Sequence, residues 1–116
     1  MKNQTLIAQI YGRVQGVFFR VNVKQQALKL NLTGFVKNNQ NGAVSVVAEG
    51  KKQDLQKLLK YLHKGSSLAK VTKVDYKFTN NFKKHFSKFE ILREKDMLKD
   101  QKQAIKNLFD NLLQKN

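Results

Sequence analysis

The chain has 116 residues, 41% of them apolar, and a formal charge of +15. That length fits one domain around one core, the lack of cysteine excludes a disulfide framework and a zinc–thiolate site, and no run nears the roughly 18 apolar residues of a membrane span. Residues 94–116 hold five lysines against four acids, so the first 93 residues carry almost all of the charge.

In chain order, Leu6, Ala8 and Ile10 alternate with Ile7, Gln9 and Tyr11, which predicts a strand over residues 5–11. The apolar run at the amino end is broken and does not read as a signal peptide, so a cytoplasmic location is expected. The string YGRVQGVFFR, Tyr11 to Arg20, follows. Gly12 and Gly16 permit positive φ and close backbone approach. Successive N–H groups in such a turn can form a nest for an anion. The helix expected over residues 21–31 adds its unpaired N–H groups, and Arg20 adds a planar fork of donors matched to phosphate oxygens. Val23, Ala27 and Leu30 form the buried stripe of that helix.

Thr33 to Asn39 reads as a second strand, Gln40-Asn41-Gly42 as a hairpin turn, and Ala43 to Glu49 as a third strand. Lys51 to Lys64 is an amphipathic helix with Leu55, Leu58, Leu59 and Leu62 on one face, ended by Gly65. Val74, Tyr76 and Phe78 alternate in a fourth strand, and Lys88 to Arg93 makes a short last one. The order β-α-β-β-α-β predicts an α+β fold, the ferredoxin-like split βαβ sandwich: an antiparallel sheet with both helices on one face. Residues 1–93 form this unit, and residues 94–116 form a C-terminal helical extension. Met97, Ile105, Leu108, Phe109, Leu112 and Leu113 give that extension an apolar stripe, and Asp96 is placed to cap it. Such a stripe should pack on the bare sheet face of its own chain or on a second copy.

The loop string resembles the acylphosphatase signature at Gly12, Val14, Gln15, Gly16, Val17, Phe19 and Arg20. TGFVKN, Thr33 to Asn38, with the turn at Asn41-Gly42, resembles the family's second block. GSSLAKV (Gly65 to Val71) and FEI (Phe89 to Ile91) echo later segments, so the likeness runs over about residues 5–92. It independently implies the split βαβ fold. It also implies a metal-independent hydrolase that cleaves acyl phosphates to carboxylate and inorganic phosphate, with the phosphate product a competitive inhibitor and no cofactor. The family's water-orienting amide falls at Asn38. Asn39 stands where relatives often have threonine.

The residue types agree with that chemistry. No cysteine, acidic cluster or histidine beside the loop offers a nucleophile, a metal site or a base. His63 and His85 read as surface or structural histidines, and Glu49, Asp54, Asp75 and Glu90 as solvated or capping groups. An acyl phosphate needs little more than charge stabilisation and alignment, because its carboxylate leaves without protonation. The backbone N–H groups of Gln15, Gly16, Val17, Phe18 and Phe19, with Arg20, can supply the first. Asn38, too weak a base to take a proton, can supply the second by orienting water. The charge can steer anionic substrates, yet 20 lysines against 3 arginines, with abundant asparagine, also reads as coding bias. Specific nucleic-acid binding is not expected: AVSVVAEG, the third strand, has no aromatic platform for stacking bases.

Overall fold

A computed structural model describes residues 3–80 and 85–113. Strand β1 (Asn3–Arg13) leads through the glycine loop to helix α1 (Phe19–Lys29). Strands β2 (Thr33–Asn38) and β3 (Val44–Lys51) form a hairpin, followed by helix α2 (Lys52–Lys64). Strand β4 (Lys70–Thr79), strand β5 (Phe89–Leu92), a 3₁₀ turn (Glu94–Asp96) and helix α3 (Lys99–Leu113) complete the order. The strands lie side by side as β4-β1-β3-β2-β5. Among the described residues, no helix is long and apolar enough to cross a membrane.

Period-two alternation divides the strand residues between two cores. Leu6, Ala8 and Ile10 of β1, Val36 of β2 and Val44, Val46 and Ala48 of β3 pack with Val23 and Ala27 of α1 and Leu55, Leu58 and Leu62 of α2. Both of these helices therefore cover one face, as the element order predicts. Gly34 has φ +140, and a Cβ there would sit 1.9 Å from the Val47 carbonyl oxygen, so the β2–β3 pairing leaves space for glycine alone. Helix α1 starts two residues before the sequence suggests, because Phe19 is already drawn into the core. It ends in a Schellman motif: Asn31 takes φ +57, its N–H bonds the Leu28 carbonyl, and the Leu32 N–H bonds the Ala27 carbonyl.

Two expectations are corrected here. The sheet is mixed rather than antiparallel, since β5 pairs with β2 in parallel. Thr79 at the end of β4, Thr5 of β1, Glu49 of β3 and Thr33 at the start of β2 are in register at one end of the sheet. A chain that crosses along this end enters beside β2 running the same way. Glu49 holds the crossing and is neither solvated nor a helix cap. It is 2% exposed, and its carboxylate accepts the backbone N–H of His85 and of Phe86 and meets His85 Nδ1 at 2.9 Å.

The second sheet face carries its own cluster. Ile7, Phe35 and Val47 pack with Phe109 of α3, and Ile105, Leu92 and Phe86 lean on them. Helix α3 thus folds back over the face that α1 and α2 leave bare. Leu108 remains 38% exposed, and the side chains of Leu112 and Leu113 lie outside the described part. Asp96 does not cap the helix; it closes the 3₁₀ turn. The capping contact is made by Gln101, whose Oε1 accepts the Leu98 N–H at 2.9 Å, which is half of a capping box.

Phe109→Ala should cost about 3 kcal/mol, the low end for a buried phenylalanine, because this cluster is small. By thermal melting that is a drop of about 12 °C, with turnover per folded molecule nearly unchanged. Truncation after Arg93 should destabilise at least as much. An unchanged melting temperature in either variant would show that α3 adds nothing to the fold.

Candidate active site

The end of the sheet opposite Glu49 gathers four chain segments: the glycine loop after β1, the β2–β3 turn, the α2–β4 connection and the start of α1. Val14 and Val17 anchor the loop by pointing into the core, 1% and 9% exposed. Gly16 has φ +72, and Phe18 lies in the left-handed region at φ +60. A left-handed non-glycine residue costs about 1–3 kcal/mol and persists where its surroundings fix it. Here Phe19 is locked into the core next door, while the Phe18 ring turns outward and is 72% exposed. The ring therefore leaves the inside of the loop empty.

Helix α1 begins with no side-chain cap and no acid in its first turn. Its first intrahelical bond runs from the Asn22 N–H to the Phe18 carbonyl. The N–H groups before it point out of the helix end, where the dipole is positive. Gly16, Phe18, Phe19 and Arg20 line a cleft of about 250 Å³ together with Val14 and Val21. Arg20 is half-buried, and among the described residues no carboxylate pairs with it. Two larger hollows, about 640 and 350 Å³, lie on the other sheet face against α3 and touch none of the loop. A phosphate group needs donors more than volume, which favours the smaller cleft.

Asn38 ends β2 on the same strand face as Val36, the face covered by α1 and α2. It does not line the cleft itself. Its Oδ1 is buried and, among the described residues, has no hydrogen-bond partner. A buried acceptor left empty costs about 1–3 kcal/mol, so such an atom calls for an explanation.

Two residues whose side chains carry no role in the sequence reading hold the loop in place. Gln15 turns away from the cleft, and its Nε2 donates to the carbonyls of Asn39 at 2.8 Å and Ala43 at 2.9 Å. Ser66 Oγ donates to the Val17 carbonyl at 3.2 Å. Behind Asn38, on the opposite sheet face, Lys37 is 8% exposed. Its Nζ donates to Asn39 Oδ1 at 3.0 Å, and Asn39 Nδ2 donates to Ser45 Oγ at 2.7 Å. The Gln15 and Ser66 contacts join residues 24 to 49 positions apart, and no local pattern announces them.

The sequence model of the acylphosphatase family matches residues 6–91. This chain belongs to the acylphosphatase family. An acylphosphatase of Bacillus licheniformis is 45% identical over 80 residues, 69% of this chain and 88% of that protein. One of Thermococcus kodakarensis is 41% identical over 78 residues, 67% of this chain and 86% of its own. The crystal structure of acylphosphatase from Bacillus subtilis, at 35% identity, superposes with a TM-score of 0.73 over 77% of this chain and 98% of that one. The family match stops before the 3₁₀ turn, so α3 is an addition to the acylphosphatase fold described here. Among the described residues, no group of three or more His, Asp or Glu comes together as a metal site would need.

Proposed function

We propose that this chain hydrolyses the carboxyl–phosphate bond of acyl phosphates without a metal ion, releasing a carboxylate and inorganic phosphate. The observation that carries the reading is the uncapped start of α1, where Arg20, with no carboxylate paired to it among the described residues, shares a cleft with Gly16, Phe18 and Phe19. The N–H groups of residues 15–19 receive the phosphate oxygens, and the Arg20 guanidinium adds a bidentate contact. Both meet negative charge that builds as the phosphorus–oxygen bond breaks. A water donating one O–H to Asn38 Oδ1 keeps a lone pair free for phosphorus. The amide thus aligns the nucleophile without taking its proton, and both protons of the water leave on the phosphate product as the carboxylate departs. The carboxylate leaves as an anion, so no general acid is required.

Purified protein with benzoyl phosphate tests this directly. Turnover should be unaffected by chelator, and inorganic phosphate should inhibit competitively. No turnover would overturn the hydrolase reading, and loss of turnover on chelation would overturn its independence of metal.

A further inference from the structure

We infer that Gln15 is a positioning residue that sets Asn38 against the phosphate loop through its side-chain amide; the inference rests on the hydrolase reading above. A primary amide has two N–H donors, and Gln15 spends both on the turn that follows Asn38. Its Nε2 reaches the carbonyls of Asn39 and Ala43. Those two residues are also joined to each other, Asn39 N–H to Ala43 carbonyl at 2.9 Å. Gln15 therefore grips both ends of the turn at once, and the carbonyl of Asn39, the residue next to Asn38, is one of its two anchors.

The geometry needs this side chain. Asparagine has the donors but is one methylene short. Glutamate has the reach but would face two carbonyl oxygens with acceptors of its own. Methionine has the reach and no donor. The far side of the turn is pinned as well, since Lys37 and Ser45 hold the Asn39 side chain from the opposite sheet face. Asn38 is thus fixed between a clamp to the phosphate loop and a clamp to the sheet. Ser66, by contrast, holds the loop at the Val17 carbonyl and, among the described residues, makes no side-chain hydrogen bond to the hairpin. The distance from bound phosphate to the attacking water passes through Gln15.

Gln15→Met keeps the backbone N–H and removes only the clamp. It should lower kcat on benzoyl phosphate by about 10- to 10²-fold, the scale of a nucleophile misplaced by about 1 Å. The inhibition constant for inorganic phosphate should rise much less than kcat falls, because Ser66 still holds the loop at the Val17 carbonyl. Gln15→Asn, which keeps the amide and shortens its reach, should lose turnover in the same way. The decisive arm uses Asn38→Ala as background: once the amide that holds the water is gone, Gln15→Met should change kcat by no more than about twofold. Equal losses in both backgrounds, a rise in the phosphate inhibition constant matching the loss of kcat, or unchanged kcat in the parent background would each overturn the assignment. Melting curves separate these outcomes from unfolding. A parent without turnover would overturn the hydrolase reading, and this inference with it, before any Gln15 variant is made.

Discussion

Arg20→Ala should lower turnover on an acyl phosphate by at least ~10²-fold, the scale of a lost oxyanion-type donor. The inhibition constant for inorganic phosphate should rise in the same variant. Both effects follow from position. Arg20 is the second residue of α1 and shares its cleft with Gly16, Phe18 and Phe19. With no carboxylate paired to it among the described residues, its charge is available to a ligand. A group that holds the phosphate in both ground and transition states affects binding and turnover together. Lysine should rescue poorly, because an ammonium is a point charge and cannot bind two oxygens as a fork. Steady-state kinetics with phosphate as competitor gives both constants from one protein preparation. Near-normal hydrolysis by Arg20→Ala would remove the residue from the site.

Much of this molecule is legible in its sequence, and the exceptions have a common cause. Alternation of apolar residues gives β1, β2, β3 and β4, and the leucine stripe gives α2, because each signal is local. The two glycines and Arg20 announce the loop for the same reason. Phe18 does not announce its left-handed conformation, since a phenylalanine there is held by the buried neighbour Phe19 and the tethered loop rather than by its own preference. The parallel pairing of β5 depends on which end of the sheet the chain crosses, and a four-residue strand carries no record of that. Glu49 looks like any acid at a strand end until the distant backbone of His85 and Phe86 arrives to fill its lone pairs. The side chain of Gln15 finds its partners 24 and 28 residues away. Contacts of that range become visible only once the fold has closed around them.

The extension shows the same division. Its apolar stripe is readable, and so is its need for cover, because burying one large apolar side chain is worth roughly 1.5–3 kcal/mol. Its start is misread, since Asp96 has the right chemistry for a cap yet the chain makes a 3₁₀ turn there first. Phe109 and Met97 are buried while Leu108 is not, so α3 meets the sheet along one side of its stripe. That side lies over Phe35 and Lys37, the reverse face of the strand that ends in Asn38. The face that carries Asn38 and the α3 face are thus two sides of one strand, so stability supplied on one side should be separable from the chemistry proposed for the other.

Asn38→Ala should lower turnover by about 10²-fold or more, the scale of effect expected from losing alignment of an attacking group. Its affinity for inorganic phosphate should stay near that of the parent, opposite to the Arg20 result. Among the described residues two buried side-chain oxygens have no hydrogen-bond partner, Asn38 Oδ1 at the glycine-loop end of the sheet and Gln4 Oε1 at the opposite end. Around Asn38 the side chains of Lys37, Asn39 and Gln15 all have their partners. A structural asparagine in that position would be expected to recover the cost of burial through a hydrogen bond within the protein. Removing an unsatisfied acceptor should therefore cost little stability, and Asn38→Ala should melt close to the parent or slightly above it. Asn38→Asp keeps an acceptor but adds a negative charge near the incoming phosphate, and should rescue turnover only weakly. A large drop in melting temperature would instead make Asn38 a structural residue. Lost phosphate binding with turnover at saturation intact would make it part of the phosphate cradle, and the water would then need another partner.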